Sequence, residues 1–201
     1  MGKVVCSASM SLDGFVAHEN NDPGRLFDWY EAGEVEVVTA SEPAAFHLTP
    51  TSADYWREWV DQIGCLVVGR LLFDITDGWS GEHPLGVPFV VVTHEAPIDW
   101  AHAHTGNAHF VTDGIEAAIA LAQQIAGDRT VALAAGTIAG QALAAGLVDE
   151  VAVDLVPVVL GTGHAYFADV DPAAVRLGDP TRVIPSTRVT HMVFPVEKTT
   201  G

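Results

Sequence analysis

Three short turns in this chain combine small and polar residues in a way that suits a phosphate ligand. Ala135-Gly136-Thr137-Ile138 follows Thr130-Val131-Ala132-Leu133, an apolar run without a charged residue. A turn between a buried strand and a helix offers backbone N–H groups to an anion, and a small residue lets the ligand approach the chain. Gly69-Arg70-Leu71 follows Cys65 to Val68, and Thr93-His94 follows Phe89 to Val92. Arg70 matters because the chain has nine Lys and Arg against 26 Asp and Glu. A basic point beside a glycine turn is therefore scarce. A crossover that binds nothing, with Arg70 in a surface ion pair, has the same local pattern.

Other chemistries have less support. His102, His104 and His109 lie in or beside one loop, and loop histidines of this spacing are more often exposed side chains than metal ligands. Cys6 and Cys65 sit in apolar runs with no CxxC, as free buried thiols do in a reducing cytoplasm. No Ser-His-Asp or Cys-His signature is visible. The net charge of −17 argues against nucleic acid and anionic membranes, since both need clustered cations. No run approaches the ~20 apolar residues of a membrane span.

The elements that must carry these turns alternate. Lys3 to Ser11 reads as a strand, with a tight turn at Asp13-Gly14. Residues 18–50 read as a long irregular stretch in which Val35, Val37 and Val38 make a short strand or helical turn. Thr51 to Ile63 has one apolar helical face (Tyr55, Trp56, Trp59, Val60, Ile63), and Thr51 with Asp54 resembles a capping box. Cys65–Val68 is a buried strand, Leu71 to Thr76 a short helix, and Pro88 to Thr93 another buried strand. Thr112 to Ala126 reads as a helix with Asp113 at its start and Gly127 at its end. The second strand of the central crossover spans Val151 to Leu160. The C-terminal stretch from Asp171 holds two or three short strands, antiparallel at the end. Strands alternating with helices predict an α/β fold with a mostly parallel central sheet in one domain over residues 1–201. The three turns then collect along one edge of the sheet.

With their order in view, SLDGFVA, VVGRLLFD, VVVTH, AAGTIAGQAL and AGLVDEVAVDLVPVVLGTG make the chain resemble the dihydrofolate-reductase-like superfamily over nearly its whole length. The resemblance is strongest to the riboflavin-biosynthesis reductase branch and its stand-alone relatives. It implies a three-layer α/β domain with C-terminal antiparallel strands, an NADPH site across the strand ends, a small-molecule substrate and often a homodimer. Carried over where the motifs match, Gly69, Arg70 and Leu71 flank the adenosine ribose, with Arg70 on its 2′-phosphate. Thr93 and His94 border the same phosphate. Ala135, Gly136, Thr137 and Ile138 hold the pyrophosphate, and Ser9, Asp13 and Gly14 border the nicotinamide. Asp54 matches the helix carboxylate that holds a pterin ring and aids protonation; capping its own helix is the plainer role. Trp29, Trp56 and Trp79 are candidates for a ring pocket.

Several positions depart from the family pattern. Ala135 stands where glycine is usual, Leu71 and Leu72 where a polar residue and threonine are usual, and His94 where Arg or Ser is common. The segment that anchors a phosphoribosyl group in the riboflavin enzymes is also missing. The resemblance implies an NADPH-dependent reductase of a pterin- or pyrimidine-like molecule. The alternatives are the 5-amino-6-(5-phosphoribosylamino)uracil reductase of riboflavin biosynthesis and a nucleotide-binding module without turnover.

Overall fold

Apolar runs with β-branched residues build the centre of the molecule. The structure is a computed structural model that describes residues 1–40, 45–173 and 175–198. Eight strands form one sheet: β1 (Val4–Ser11), β5 (Ile63–Gly69), β6 (Phe89–Val92), β7 (Ala108–Val111), β8 (Thr130–Ala134), β9 (Glu150–Val156), β11 (Arg182–Ser186) and β12 (Val189–Pro195). Their order across the sheet is β11-β12-β9-β1-β8-β5-β6-β7. The five pairings from β9 to β7 are parallel, and the two that involve β12 are antiparallel. The short strands β2 (Phe15–Ala17) and β10 (His164–Ala165) pair with each other, as do β3 (Val35–Val38) and β4 (Ala45–Leu48).

Alternation along each strand divides the side chains between two faces. Val4, Cys6, Cys65, Val67, Val131, Leu133, Val151 and Val153 pack under α3 (Ile115–Ala126) and α4 (Thr137–Ala144). On the opposite face, Leu66, Val68, Phe89 and Val91 pack with Phe73 of α2 (Arg70–Ile75). Beside them, α1 (Pro50–Gln62), a 3-10 segment at Gly24–Glu31 and the β3–β4 hairpin enclose Leu26, Trp29, Val37, Leu48, Ala53, Val156 and Val189. The three-layer α/β arrangement is the expected one. Cys6 and Cys65 are free and buried, and burial pushes both thiols up to about 12.

Local details differ from the sequence reading. Pro50 opens α1, and Thr49 caps it by accepting the Ser52 N–H at 3.2 Å. The Thr51–Asp54 capping box therefore does not form, because the helix starts one residue earlier than Thr51. Asp113 does not cap α3, since Gly114 occupies the cap in a left-handed conformation. Strand β9 ends at Val156, because residues 157–161 leave the sheet to meet the β1–β2 turn. The 3-10 segment and β4 were hidden in the stretch read as irregular, where packing rather than periodicity defines them. Residues 41–44 of that stretch lie outside the described residues.

Gly140 lets α4 lie close to a neighbouring loop, because a Cβ there would overlap the Ala168 carbonyl. Gly140→Ala should cost about 2 kcal/mol, the scale of overpacking in a close-packed site. Urea denaturation measures it.

Candidate active site

The carboxyl ends of β5, β6 and β8 lie side by side, so the three turns meet on one rim. Gly69 caps α2 in extended backbone, and a Cβ on it would meet Ile138 Cγ2 at 3.4 Å, so the first and third turns touch. Arg70 leaves the first turn toward the second. Its Nη1 donates to Glu95 O at 2.8 Å and to Thr93 Oγ1 at 3.3 Å, while its Nε donates to Asp74 Oδ1 at 2.7 Å. The side chain stays 41% exposed, and no other Lys or Arg sits on these three turns. Thr93 is buried, His94 is exposed, and Leu71 is half exposed beside them.

Gly136 caps α4 with φ of 94° and open space where a side chain would project. Its own N–H is committed to Tyr166 O at 2.9 Å. The N–H groups of the first turn of α4 are the ones available to an anion, because they have no partner within the helix. Ala135, where family relatives carry glycine, does not take a positive φ, so its methyl group imposes no backbone strain. The open cradle at Gly136, the α4 N-terminus and the half-exposed guanidinium fit a dinucleotide phosphate.

The β1 end joins the rim through backbone bonds. Tyr166 N donates to Gly14 O at 2.9 Å, so the residue that holds Gly136 also holds Gly14. Asp13 Oδ1 accepts from Ser11 Oγ at 2.6 Å and from Leu160 N at 3.2 Å, and its Oδ2 accepts from Gly161 N at 2.7 Å. These donors hold the Asp13 carboxyl down to about 2, led by the Ser11 hydroxyl. Asp13 is thus a clasp between the β1–β2 turn and the loop after β9.

Ser9 lies on the α1 face of the sheet, directly across from Asp154 of β9. Its hydroxyl accepts from Trp29 Nε1 at 3.1 Å. Trp29 is buried, so it supports the site from below. Trp56 stands edge-on to Tyr30 and Phe46, which stack with centroids 4.3 Å apart. Trp79 does not join this group. It packs against His83 and against Phe89 at the opposite end of β6, within a left-handed run from Asp77 to Gly81. Burial pushes His83 down to about 4.

Asp54 does not have the burial expected of a ring-binding carboxylate. It is 83% exposed on α1 and pairs with Arg57 at 3.6 Å. The more enclosed acid is Asp154, 19% exposed, which the sequence reading missed inside an apolar strand. A lone aspartate in a six-residue apolar run was the available signal. Its Oδ1 lies 2.6 Å from Nδ1 of fully buried His191 on β12. Among the described residues there is no group of His, Cys, Asp and Glu that could hold a metal.

A parallel sheet with a glycine-capped helix and a basic turn along its carboxyl edge defines a nucleotide-binding α/β protein of the dihydrofolate reductase-like fold. The chain belongs to the RibD C-terminal domain family, whose pattern it matches over residues 2–189. That membership makes it an NADPH-dependent oxidoreductase by class. It is similar to a putative riboflavin biosynthesis protein from Shewanella sp. PV-4, at 16% identity and TM-score 0.68, covering 98% of this chain and 99% of that one. It is also similar to Acinetobacter baumannii RibD, at 15% identity and TM-score 0.62, covering 98% of this chain but 58% of the other. Dihydrofolate reductase from Enterococcus faecalis, complexed with NADP(H) and RAB-propyl, aligns at 12% identity and TM-score 0.58 over 98% and 96% of the two chains. No curated protein matches the sequence.

Asp13 gives a pH signature. Its depressed pKa means that its stabilising contribution is complete above the ordinary value of ~3.9 and is lost as the pH falls through about 2. Asp13→Asn should remove that contribution and speed amide exchange at Leu160 and Gly161 already at neutral pH. Hydrogen exchange followed by NMR or mass spectrometry measures it.

Proposed function

We propose that this protein uses NADPH to reduce a pterin- or pyrimidine-like small molecule. The single observation that carries the reading is the rim itself: three turns on adjacent parallel strands, two of them bridged by Arg70. Arg70 would take the 2′-phosphate by its guanidinium, with Thr93 beside it and Gly69 leaving room. The first turn of α4 would take the pyrophosphate, and Ser9, Asp13 and Gly14 would border the nicotinamide. NADPH, when bound, supplies a hydride to an electrophilic ring carbon. The protein's part is to hold the two rings in line and to deliver a proton. Flat aromatic walls from Tyr30, Phe46 and Trp56 suit a heterocycle. The phosphoribosyl anchor of the riboflavin enzymes is missing from the sequence, which favours a substrate without that group.

The reading extends to assembly and location. Met10, Leu12, Val153, Leu155, Met192 and Phe194 line a 390 Å³ apolar hollow on the sheet face that α3 and α4 leave open. An apolar sheet face of this kind suits a second copy of the chain, making a homodimer. Among the described residues no helix is long and apolar enough to cross a membrane, and the two buried free thiols suit the cytoplasm.

Two measurements test these points. Arg70→Ala should weaken NADPH binding by roughly 10- to 100-fold, the scale of a charge-assisted contact, and NADH binding only a few-fold. Calorimetric titration of both nucleotides decides it, and equal losses contradict the assigned contact. Leu155→Glu should convert a dimer into a monomer in analytical ultracentrifugation, because the charge enters the apolar hollow.

A further inference from the structure

A second cavity lies at the amino edge of the sheet, under the C-terminal half of α1. Val5 and Ser11 stand toward opposite ends of β1. At ~3.3 Å per residue, about 20 Å of strand separates this cavity from the rim. Strand register explains its floor. Val5 pairs with Glu150 of β9, Ala152 of β9 with Val193 of β12, and Val193 with Arg182 of β11. Paired residues share a face of the sheet. Lys3, two residues before Val5, lines the same face, and α1 covers it with Tyr55, Glu58, Trp59 and Gln62. The cavity measures 190 Å³. It is smaller than the ~300 Å³ at which pockets for drug-sized ligands begin.

Two ion pairs border this space. Lys3 Nζ donates to Glu150 Oε1. Arg182 forks onto Glu58, with Nη1 donating to Oε1 at 2.8 Å and Nη2 to Oε2 at 2.9 Å. Its guanidinium also lies over the Tyr55 ring, 5.6 Å from the centroid, so it is held on two sides. The Arg182 hydrogen bonds keep the Glu58 carboxyl below the usual carboxylate range, so this pair stays charged. Two of the nine Lys and Arg of the chain are thus spent here, away from the rim. Neither pair is saturated. An ammonium has three N–H donors and Lys3 uses one; a guanidinium has five and Arg182 uses two. Glu150 Oε2 accepts from no protein group, and the Trp59 and Gln62 side chains make no hydrogen bond among the described residues. Val5, Val193 and the rings of Tyr55 and Trp59 supply the apolar wall.

We propose that this cavity is a second small-molecule site, and that its ligand is a small apolar α-amino acid in zwitterionic form. The charges decide the class. Lys3, Arg182, Glu58 and Glu150 sum to zero, so a net ion would bring a charge without a counterpart. A zwitterion keeps the balance and uses both signs. Its carboxylate takes the unused N–H groups of Arg182 and Lys3, and its ammonium donates to Glu150 and Glu58. Its aliphatic side chain lies on Val5, Val193 and Tyr55. A space of about six water volumes, at ~30 Å³ each, fits a molecule of that size. The site is separate from the rim, so the inference goes beyond the reductase reading and does not rest on it.

The test is an NMR titration of the full chain with L-valine, L-leucine and L-methionine, read at the Trp59 indole N–H and the Gln62 side-chain amide. At least one probe should move both resonances saturably below about 10 mM, ten times the ~1 mM upper end of ordinary metabolite affinities. The amine and acid counterparts of that probe, each lacking one charge, should bind about 10-fold more weakly, the scale of a lost charge-assisted contact. Lys3→Met and Arg182→Gln should each weaken the probe by a similar factor. Lys3 is 61% exposed, so its substitution keeps the fold even where loss of the Arg182–Glu58 fork disturbs α1. A dispersed amide spectrum shows that it does. No saturable shift from any probe overturns the proposal and leaves two surface ion pairs only. Equal binding of a singly charged counterpart overturns it too, as does unchanged binding in Lys3→Met. Shifts at Thr93 and Gly136 in place of Trp59 and Gln62 overturn it as well. None of these outcomes touches NADPH binding at the rim, which the Arg70→Ala titration decides.

Discussion

The parallel pairing of β1 with both β8 and β9 is the constraint on which the structure depends. It places the carboxyl ends of β9, β1, β8, β5 and β6 along one edge, and every loop with chemical content leaves from that edge. The pairing is enforced from both faces. Alternate residues of β1 pack under α3 and α4 on one side and under Trp29 and α1 on the other. A one-residue slip would exchange Cys6 and Ala8 for Ser7 and Ser9, putting hydroxyls into an apolar layer.

In the proposed reading, anion binding and ring binding fall on different parts of that edge. Arg70 and the first turn of α4 provide positive potential in a chain of net charge −17. Asp74 pairs with that guanidinium at 2.7 Å, so Arg70 is a local cation within an acidic chain and not part of a basic surface. The backbone of Tyr166 joins the two halves by holding Gly14 and Gly136 at once. Its side chain is buried beneath the sheet edge and bonded to Cys6 O and Ala152 O, so this joint is anchored in the core.

Much of the cofactor side is legible in the residues themselves. Gly136 needs its positive φ, and Gly69-Arg70 needs only the end of a strand and the start of a helix; both follow from local rules. The substrate side is less legible. Asp54 fits a motif at the right separation, but the helix rotates it toward water, because Tyr55 and Ala53 hold the buried face. Trp79 has the composition of a ring wall, yet its left-handed turn carries it to the far end of β6. Helix rotation and loop path are set by packing against distant residues, which spacing does not encode.

The order of strands and helices, the scarcity of cations and the glycine turns were determined by the sequence alone, since each depends on residues close together in the chain. The Asp154–His191 pair and the His191–Ser52 contact were decided only in three dimensions. Asp154 and His191 are 37 residues apart, and His191 and Ser52 are 139 apart. They meet because β12 runs antiparallel to β9 and α1 lies across both, a register fixed by how the sheet buries its apolar face.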